Sequence, residues 1–461
     1  MAKGKDKLLN SISKIINSRK LSVDMEDLQA HAKDRSFHKE SLPDVVIWPE
    51  TSKDVSAVMK LANRFKIPVT AWGGGSSLEG NPIPVRGGIV LDMTKMDKII
   101  HVDQKSFQVR LQPGIIGDEF NRQLGKYKLF FPAAPGSSNI ATIGGMIANN
   151  AGGMYAVKYG VVGDWVLELE VVLPDGGIVK VGSKSFKSVS GYDLKRLFIG
   201  SEGTLGIVTE TTLKLRPIPA NKMAAFISFS TLEHIVATSL EILQKEINPA
   251  AIEYMDTEYI KLVNLAKKSN LSESPSLIVE FHGDEKINAD SITKLETICR
   301  KHSALAFKKF MTKEGIKILW EYRKAVRPVL SKILPNTGVL SAEIGLPLAS
   351  ITSFLHKAEK ISKKYRMTTV MFGHMGDGNF HGWALYKLGD KKSWERVVKV
   401  NEELVRFSLK SGGTTTGEHG MGIGKRKFLA LEHPTSLPIM KEIKRLFDPK
   451  GILNPGKIFL D

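Results

Sequence analysis

The sequence predicts an α+β protein of two domains, and three observations predict it. The first 220 or so residues mix helical and strand patterns around three glycine-rich loops. The Pro217-Ile218-Pro219 stretch then interrupts the pattern and marks a domain boundary. From Ala224 onward, strand-like 224–229, helix-like 232–245, strand-like 250–255 and 277–282, helix-like 288–301 and strand-like 304–310 follow one another. That order is βαββαβ, the split ferredoxin-like arrangement with an antiparallel sheet.

The elements can be justified in turn. Lys3 to Lys20 places Leu8, Ile12, Ile15 and Ile16 at helical spacing among lysines, which predicts a basic amphipathic helix. Two destinations fit such a helix, the protein's own core and a membrane surface. Thr51 or Ser52 can cap a helix carrying Val55, Val58, Met59, Ala62 and Phe65, which ends before Pro68 and a strand from Val69 to Trp72. Phe107, Val109 and Leu111 alternate as a half-buried strand does, and Pro174-Asp175-Gly176-Gly177 turns one strand into the next. Beyond 310, a long amphipathic helix runs through Trp320 and Arg323. The expected domains are a helical segment 1–40, a glycine-looped domain 41–219, a second domain 220–412 and a returning segment 413–461.

Composition narrows the function. At 461 residues and 42% hydrophobic, the chain can bury two cores. No run reaches the ~20 apolar residues of a spanning helix, and no apolar stretch follows Lys7 as in a signal peptide, so a cytoplasmic protein is expected, with the basic helix as the candidate for contact at the inner face of the membrane. A single cysteine, Cys299, excludes internal disulfides, a cysteine-ligated zinc site and a built-in iron–sulfur cluster. The formal charge of +18 comes from scattered Lys and Arg with no recognition-helix pattern, so nucleic acid is not an expected partner and a solvated surface is the simpler account.

The first loop, Gly73-Gly74-Gly75-Ser76-Ser77-Leu78-Glu79-Gly80, directly follows a predicted strand. Adjacent glycines let backbone N–H groups converge on an anion, and Ser76 and Ser77 add hydroxyl donors, so a diphosphate is the obvious guest and a plain surface turn the alternative. It is neither a dinucleotide fingerprint nor a nucleoside-triphosphate loop. Gly451 to Lys457 imitates the latter, but Ile458 stands where a Ser or Thr must hold Mg²⁺ and Pro455 removes a donor, so it is a turn. The second loop spans Pro135-Gly136-Ser137-Ser138, Thr142-Ile143-Gly144-Gly145 and Ala148-Asn149-Asn150-Ala151-Gly152-Gly153, with room for something flat against backbone or for tight helix packing. The third, Gly200-Ser201-Glu202-Gly203-Thr204-Leu205-Gly206, leads into Ile207-Val208-Thr209-Glu210.

Two further segments carry chemistry. Gly373-His374-Met375-Gly376-Asp377-Gly378-Asn379-Phe380-His381 holds two imidazoles seven residues apart, and the Gly376-Asp377-Gly378 turn lets them converge. Gly417-Glu418-His419-Gly420-Met421-Gly422 adds a carboxylate and a third imidazole. Two histidines and a carboxylate suit a divalent metal with open positions, although isolated histidines are more often hydrogen-bonded structural residues.

In this order and spacing, the loops resemble the FAD-binding domain of the vanillyl-alcohol oxidase and p-cresol methylhydroxylase superfamily. Over roughly residues 40–461 the chain resembles the branch of D-lactate dehydrogenases and glycolate oxidase large subunits. The resemblance implies a two-subdomain FAD-binding domain of the p-cresol methylhydroxylase type and a substrate cap. It implies that Gly73, Gly74, Gly75, Ser76, Ser77 and Gly80 cradle the FAD pyrophosphate. Pro135, Gly136, Ser137, Thr142, Gly144, Gly145, Asn149, Gly152, Glu202, Gly206, Ile207, Val208 and Asn454 would line the rest, the last in the closing Asn454-Pro455-Gly456-Lys457. Relatives with covalent flavin carry a histidine near the first loop; none lies between His38 and His101, so dissociable FAD is expected.

By the same resemblance His374, His381 and Glu418 are metal ligands, the ion being Zn, Mn or Fe, and His419 is the base. Arg323 matches the family's substrate-binding arginine, and Arg327, one turn later, is placed to share the role; an exposed basic helix is the alternative. Trp72 replaces the arginine common in glycolate oxidase relatives, and Ser341 stands where the D-2-hydroxyglutarate branch has a lysine. Both lean toward a small anionic substrate, D-lactate, with electrons passed to a quinone, cytochrome or iron–sulfur partner. A glycolate oxidase FAD subunit, a non-catalytic flavin-binding partner subunit and a basic nucleic-acid binder are the competing readings.

Overall fold

The computed structural model describes residues 11–245 and 247–460. The chain forms two compact units. The first comprises the chain to Gly153, Val161–Ile218 and Glu418 onward; the second comprises Met154–Gly160 and Pro219–Gly417.

The first unit has two principal sheets. Strands β1 (Leu21–Ser22), β2 (Val45–Ile47), β3 (Val69–Trp72) and β4 (Ile89–Asp92) lie in the order β1-β2-β4-β3. β3 and β2 both run parallel to β4, as a strand–helix–strand crossover demands. The crossover helix is Ser52–Phe65, closed at its start by a reciprocal capping box between Thr51 and Asp54. Its buried Val55, Val58, Met59 and Ala62 pack on Val45, Ile47, Val69, Ile89 and Leu91. β5 (Ile99–Asp103), β6 (Gln108–Leu111), β8 (Val166–Val172), β9 (Ile178–Gly182) and β10 (Ile207–Lys214) form an antiparallel sheet ordered β5-β6-β10-β8-β9. Strands β7 (Leu129–Phe130) and β11 (Arg216–Pro217) make a short ribbon. Phe107, read as the start of β6, instead sits in the turn before it at φ 52°, exposed.

The basic N-terminal helix ends sooner than its pattern suggests. Ser11 and Ile12 are helical, but the chain turns at 13–15, and the Asn17 side chain accepts the Arg19 N–H to start a 3-10 turn over Ser18–Lys20. Ile12 and Ile16 are buried in the core of the first unit, so these two side chains take the core and not a membrane. Leu8 lies outside the described residues. Among the described residues, no helix is long and apolar enough to cross a membrane.

The second unit is built on one seven-stranded sheet, ordered β15-β12-β14-β13-β17-β18-β16. Its first part, β12 (Asn221–Ser228), β13 (Ala251–Met255), β14 (Ser276–Gly283) and β15 (Ala306–Phe310), is the expected ferredoxin-like unit, with helices Leu232–Gln244 and Glu285–Lys301 after β12 and β14. The helix Thr257–Lys267 between β13 and β14 was not legible; Asp256 caps it. β16 (Thr337–Gly345), β17 (Thr369–His374) and β18 (Asn379–Lys387) extend the sheet beyond β13, every described pairing being antiparallel. The long helix predicted through Arg323 is two helices, Lys313–Lys324 and Val326–Ile333, broken at Ala325. Pro328 explains the break, because proline is tolerated in a helix's first turn but not in its interior.

Candidate functional site

In the first unit, strand β3 ends at Trp72 and delivers the chain into the first glycine loop. A Cβ on Gly74 would stand 1.8 Å from the Ile140 carbonyl oxygen, and one on Gly73 would stand 2.4 Å from Thr142 Oγ1. The first loop therefore lies directly against the second, Gly74 on the Ile140 backbone and Gly73 on the Thr142 side chain. Gly75 and Gly80 take φ of 60° and 77°, open to glycine at no steric cost, and the Gly80 N–H is fixed by Asp34 at 2.8 Å. The Ser77 hydroxyl pairs with the Asn81 side chain. Trp72 is a core residue, packed with Leu28, Val46 and Val90.

The second loop turns at Ser137, whose carbonyl accepts the N–H groups of Ile140 and Ala141 at 2.9 Å. Above it the Cα of Gly136 is open, a Cβ there meeting nothing within 4 Å. Thr142 caps the helix Ile143–Asn149 by accepting the Gly145 N–H at 3.2 Å, and Gly144 lets that helix close on Pro113. Gly206 closes on Val171 and Phe198 in the same way before Ile207 and Val208 enter β10.

Glu202 and Asn454 hold protein. Glu202 sits at φ 53° with Oε1 receiving the Met421 N–H at 2.6 Å and Oε2 receiving the Gly422 N–H at 2.9 Å and Asn81 Nδ2 at 2.6 Å. Burial pushes its carboxyl pKa up, against these donors. Asn454 Nδ2 donates to the carbonyls of Asn81 and Glu202 at 3.0 and 2.8 Å, and Leu453 bridges in parallel to Val69. The closing segment is thus sewn beside β3, and Lys457 is buried with Nζ on the Ile83 carbonyl at 2.5 Å, far from any phosphate-loop geometry. Its ammonium is pushed down to about 7 by that burial.

These anchors fix the turn that follows His419. The His419 carbonyl accepts from Asn149 Nδ2 at 3.0 Å, and its Nδ1 lies 3.9 Å from the Glu79 carboxylate, which also faces Lys425 Nζ at 3.7 Å. The Glu79 carbonyl receives the Ile423 and Gly424 N–H groups at 2.7 and 3.2 Å. Gly152 stands 3.7 Å, by its Cβ position, from Glu418 Oε2. Glu79 and Asn81 escaped the sequence reading because nothing separates them from ordinary loop polar residues until the chain returns to them.

In the second unit, β17 and β18 form a hairpin around the Met375–Gly378 turn, with Phe372 opposite His381 and His374 opposite Asn379. The two Nε2 atoms come within 3.4 Å, as the broken alternation predicts. His374 Nδ1 is 2.5 Å from Glu253 Oε1, and Glu253 Oε2 receives Arg323 Nε at 2.8 Å. Burial alone would lower the Arg323 pKa, but Glu253 more than compensates and raises it. The guanidinium lies 4.7 Å from the Phe372 ring centre and is buried, which sets aside the exposed-helix alternative. Arg327, the second residue of the next helix, lies 5.9 Å from the Trp383 ring centre. Ser341 faces Trp383 across β16 and β18.

A second buried carboxylate, Glu343, holds Asn379 Nδ2 at 2.5 Å, Thr416 Oγ1 at 2.8 Å and the Gly417 N–H at 2.5 Å. The chain crosses into the first unit at the next residue, Glu418. Glu253 and Glu343 were missed, though each left a signal: a lone carboxylate in an apolar strand run, Ala251-Ile252-Glu253-Tyr254 and Ala342-Glu343-Ile344.

Comparison with known proteins agrees with this construction. The family described as FAD linked oxidases, C-terminal domain, matches residues 218–458, and the FAD binding domain family matches residues 43–182. The chain belongs to the FAD-linked oxidases and binds FAD. It is 35% identical to the mitochondrial D-lactate dehydrogenase [cytochrome] of Arabidopsis thaliana, over 98% of this chain and 80% of the other. It is also 35% identical to glycolate oxidase subunit GlcD of Bacillus subtilis, over 91% of this chain and 90% of the other. Among solved structures, p-cresol methylhydroxylase with substrate bound superposes with a TM-score of 0.78 at 17% identity, covering 99% of this chain and 97% of that one. Alkyldihydroxyacetonephosphate synthase superposes with a TM-score of 0.79 at 21% identity, covering 98% and 84%. These two likenesses establish the fold alone.

Proposed function

We propose that this chain is an FAD-dependent dehydrogenase of small D-2-hydroxy acids, D-lactate first among them, using a divalent metal. The observation that carries the reading is the buried Arg323–Glu253–His374 chain, which ties a carboxylate-binding cation to a metal-ligating imidazole through one glutamate.

Arg323 binds the substrate carboxylate. Its Nε is spent on Glu253, so the remaining N–H groups of the planar fork are the ones offered. By the family resemblance His374, His381 and Glu418 would hold the divalent ion, a donor set that suits Zn, Mn or Fe. The Glu253 contact at Nδ1 fixes the His374 tautomer that leaves Nε2 for an ion. A bound divalent ion would supply Lewis acidity at the substrate hydroxyl, and bound FAD would supply the acceptor for the C2 hydride. His419 takes the hydroxyl proton as the general base. The glycine loop 73–80 would hold the pyrophosphate, with the FAD bound non-covalently. The electrons leave to a separate acceptor, a quinone, cytochrome or iron–sulfur protein.

The test is His419→Ala. The variant should retain its yellow FAD while anaerobic D-lactate no longer bleaches it; undiminished reduction would remove His419 from the mechanism.

A further inference from the structure

We propose that the loop 184–194 and the helix Leu437–Phe447 of the first unit form a docking surface for an anionic lipid bilayer. The loop leaves β9 and stays exposed until it meets the short helix Lys195–Phe198. It presents Phe186, Val189, Tyr192 and Leu194 at 62, 101, 94 and 41% exposure, an unusual concentration of large apolar groups in water.

The helix Leu437–Phe447 adjoins it. The Phe447 ring meets Phe198 edge to face at 5.5 Å, one short helix away from the loop. Lys444 turns inward and donates to the Thr204 and Leu453 carbonyls at 2.8 and 3.0 Å. That contact sets the helix rotation. The outward side carries Ile439 and Leu446, seven residues apart on one face and 59 and 79% exposed, and the helix has no buried residue.

Charge decides the partner. Lys184, Lys187, Lys441 and Arg445 are exposed on these two elements and have no carboxylate partner among the described residues. Lys195 and Arg196 beside them are paired with Asp193 and Asp164, and Glu442 is the exposed carboxylate of the helix. Protein interfaces are depleted of lysine at their centres, whereas apolar tips interleaved with unpaired cations suit the boundary between headgroups and acyl chains. Each cation brought to an anionic surface is worth roughly fivefold in binding.

The experiment uses the flavin-loaded full chain in flotation with phosphatidylcholine vesicles, with and without phosphatidylglycerol. Wild type should float only with the anionic vesicles, and less so at high salt. The quadruple variant Lys184→Glu, Lys187→Glu, Lys441→Glu, Arg445→Glu should lose at least ~100-fold in affinity while its flavin spectrum and its reduction by substrate stay unchanged. A triple variant Phe186→Ser, Tyr192→Ser, Leu446→Ser should lose binding with all cations in place. Three results would overturn the proposal: no flotation of wild type, flotation that survives both variants, or self-association of wild type that both variants abolish. Substrate reduction read in the same samples separates this outcome from failure of the hydroxy-acid reading.

Discussion

Arg323 and Glu253 form a buried ion pair, Nε to Oε2 at 2.8 Å, and the free oxygen of Glu253 turns to His374 Nδ1 at 2.5 Å. One carboxylate therefore orients two side chains, and neither can be relaxed alone. Removing one partner of a buried pair costs ~3–5 kcal/mol because the other charge stays buried.

Glu253→Gln keeps the shape and removes the charge. Metal retention should fall about 10–100-fold, the usual cost of losing an outer partner of a ligating histidine, and KM for the hydroxy acid should rise with it. Metal analysis after dialysis, alongside steady-state kinetics, checks both. A change in KM with full metal content would show that Glu253 serves Arg323 alone.

Gly74→Ala tests the first loop. The added Cβ would fall 1.8 Å from the Ile140 carbonyl oxygen, so loop and backbone must part. The variant should purify colourless or with greatly reduced flavin. Gly136→Ala, where a Cβ meets nothing of the protein, should fold with unchanged melting temperature, so that any loss of flavin there reports contact with the cofactor itself.

Lys457 gives a pH dependence of known sign. Its folded pKa is depressed to about 7 from 10.5 by burial, so the unfolded chain binds a proton that the folded chain resists. Stability should be highest at alkaline pH, decline as pH falls toward 7 and level off below it. Lys457→Met should flatten this part of the profile of melting temperature against pH. A variant profile parallel to wild type between pH 7 and 10 would contradict the assignment.

Arg323→Lys should be costly although charge is preserved. An ammonium cannot hold Glu253 and a substrate carboxylate side by side. KM should rise by roughly tenfold or more, the loss of one charge-assisted hydrogen bond of ~1.5–3 kcal/mol. Arg327→Lys, resting on Trp383 at the start of a separate helix, should change KM far less.

Much of this was legible in the sequence because it is local. The crossover helix announces itself by its cap and its spacing, and the two imidazoles converge because Gly376 and Gly378 flank a turn. What escaped is set by contacts distant in sequence. Glu202 looks like one more residue of a glycine loop until Met421 and Gly422 return to it, and Glu253 gains meaning only when Arg323 and His374 arrive. The helix break was missed because periodicity carries the pattern through Ala325, where the Pro328 ring forces a new start just before Arg327. The basic N-terminal pattern likewise runs past Ile12, where the described helix gives way to a turn over 13–15.

The central claim is metal-assisted oxidation of a D-2-hydroxy acid at the flavin. Its most direct test is anaerobic mixing of the purified chain with D-lactate, L-lactate, glycolate and D-2-hydroxyglutarate while flavin absorbance is followed. The account predicts fastest bleaching by D-lactate, none by L-lactate, and loss of bleaching after a chelator with recovery on adding a divalent ion. Equal bleaching by both lactates, or bleaching indifferent to chelation, would contradict it.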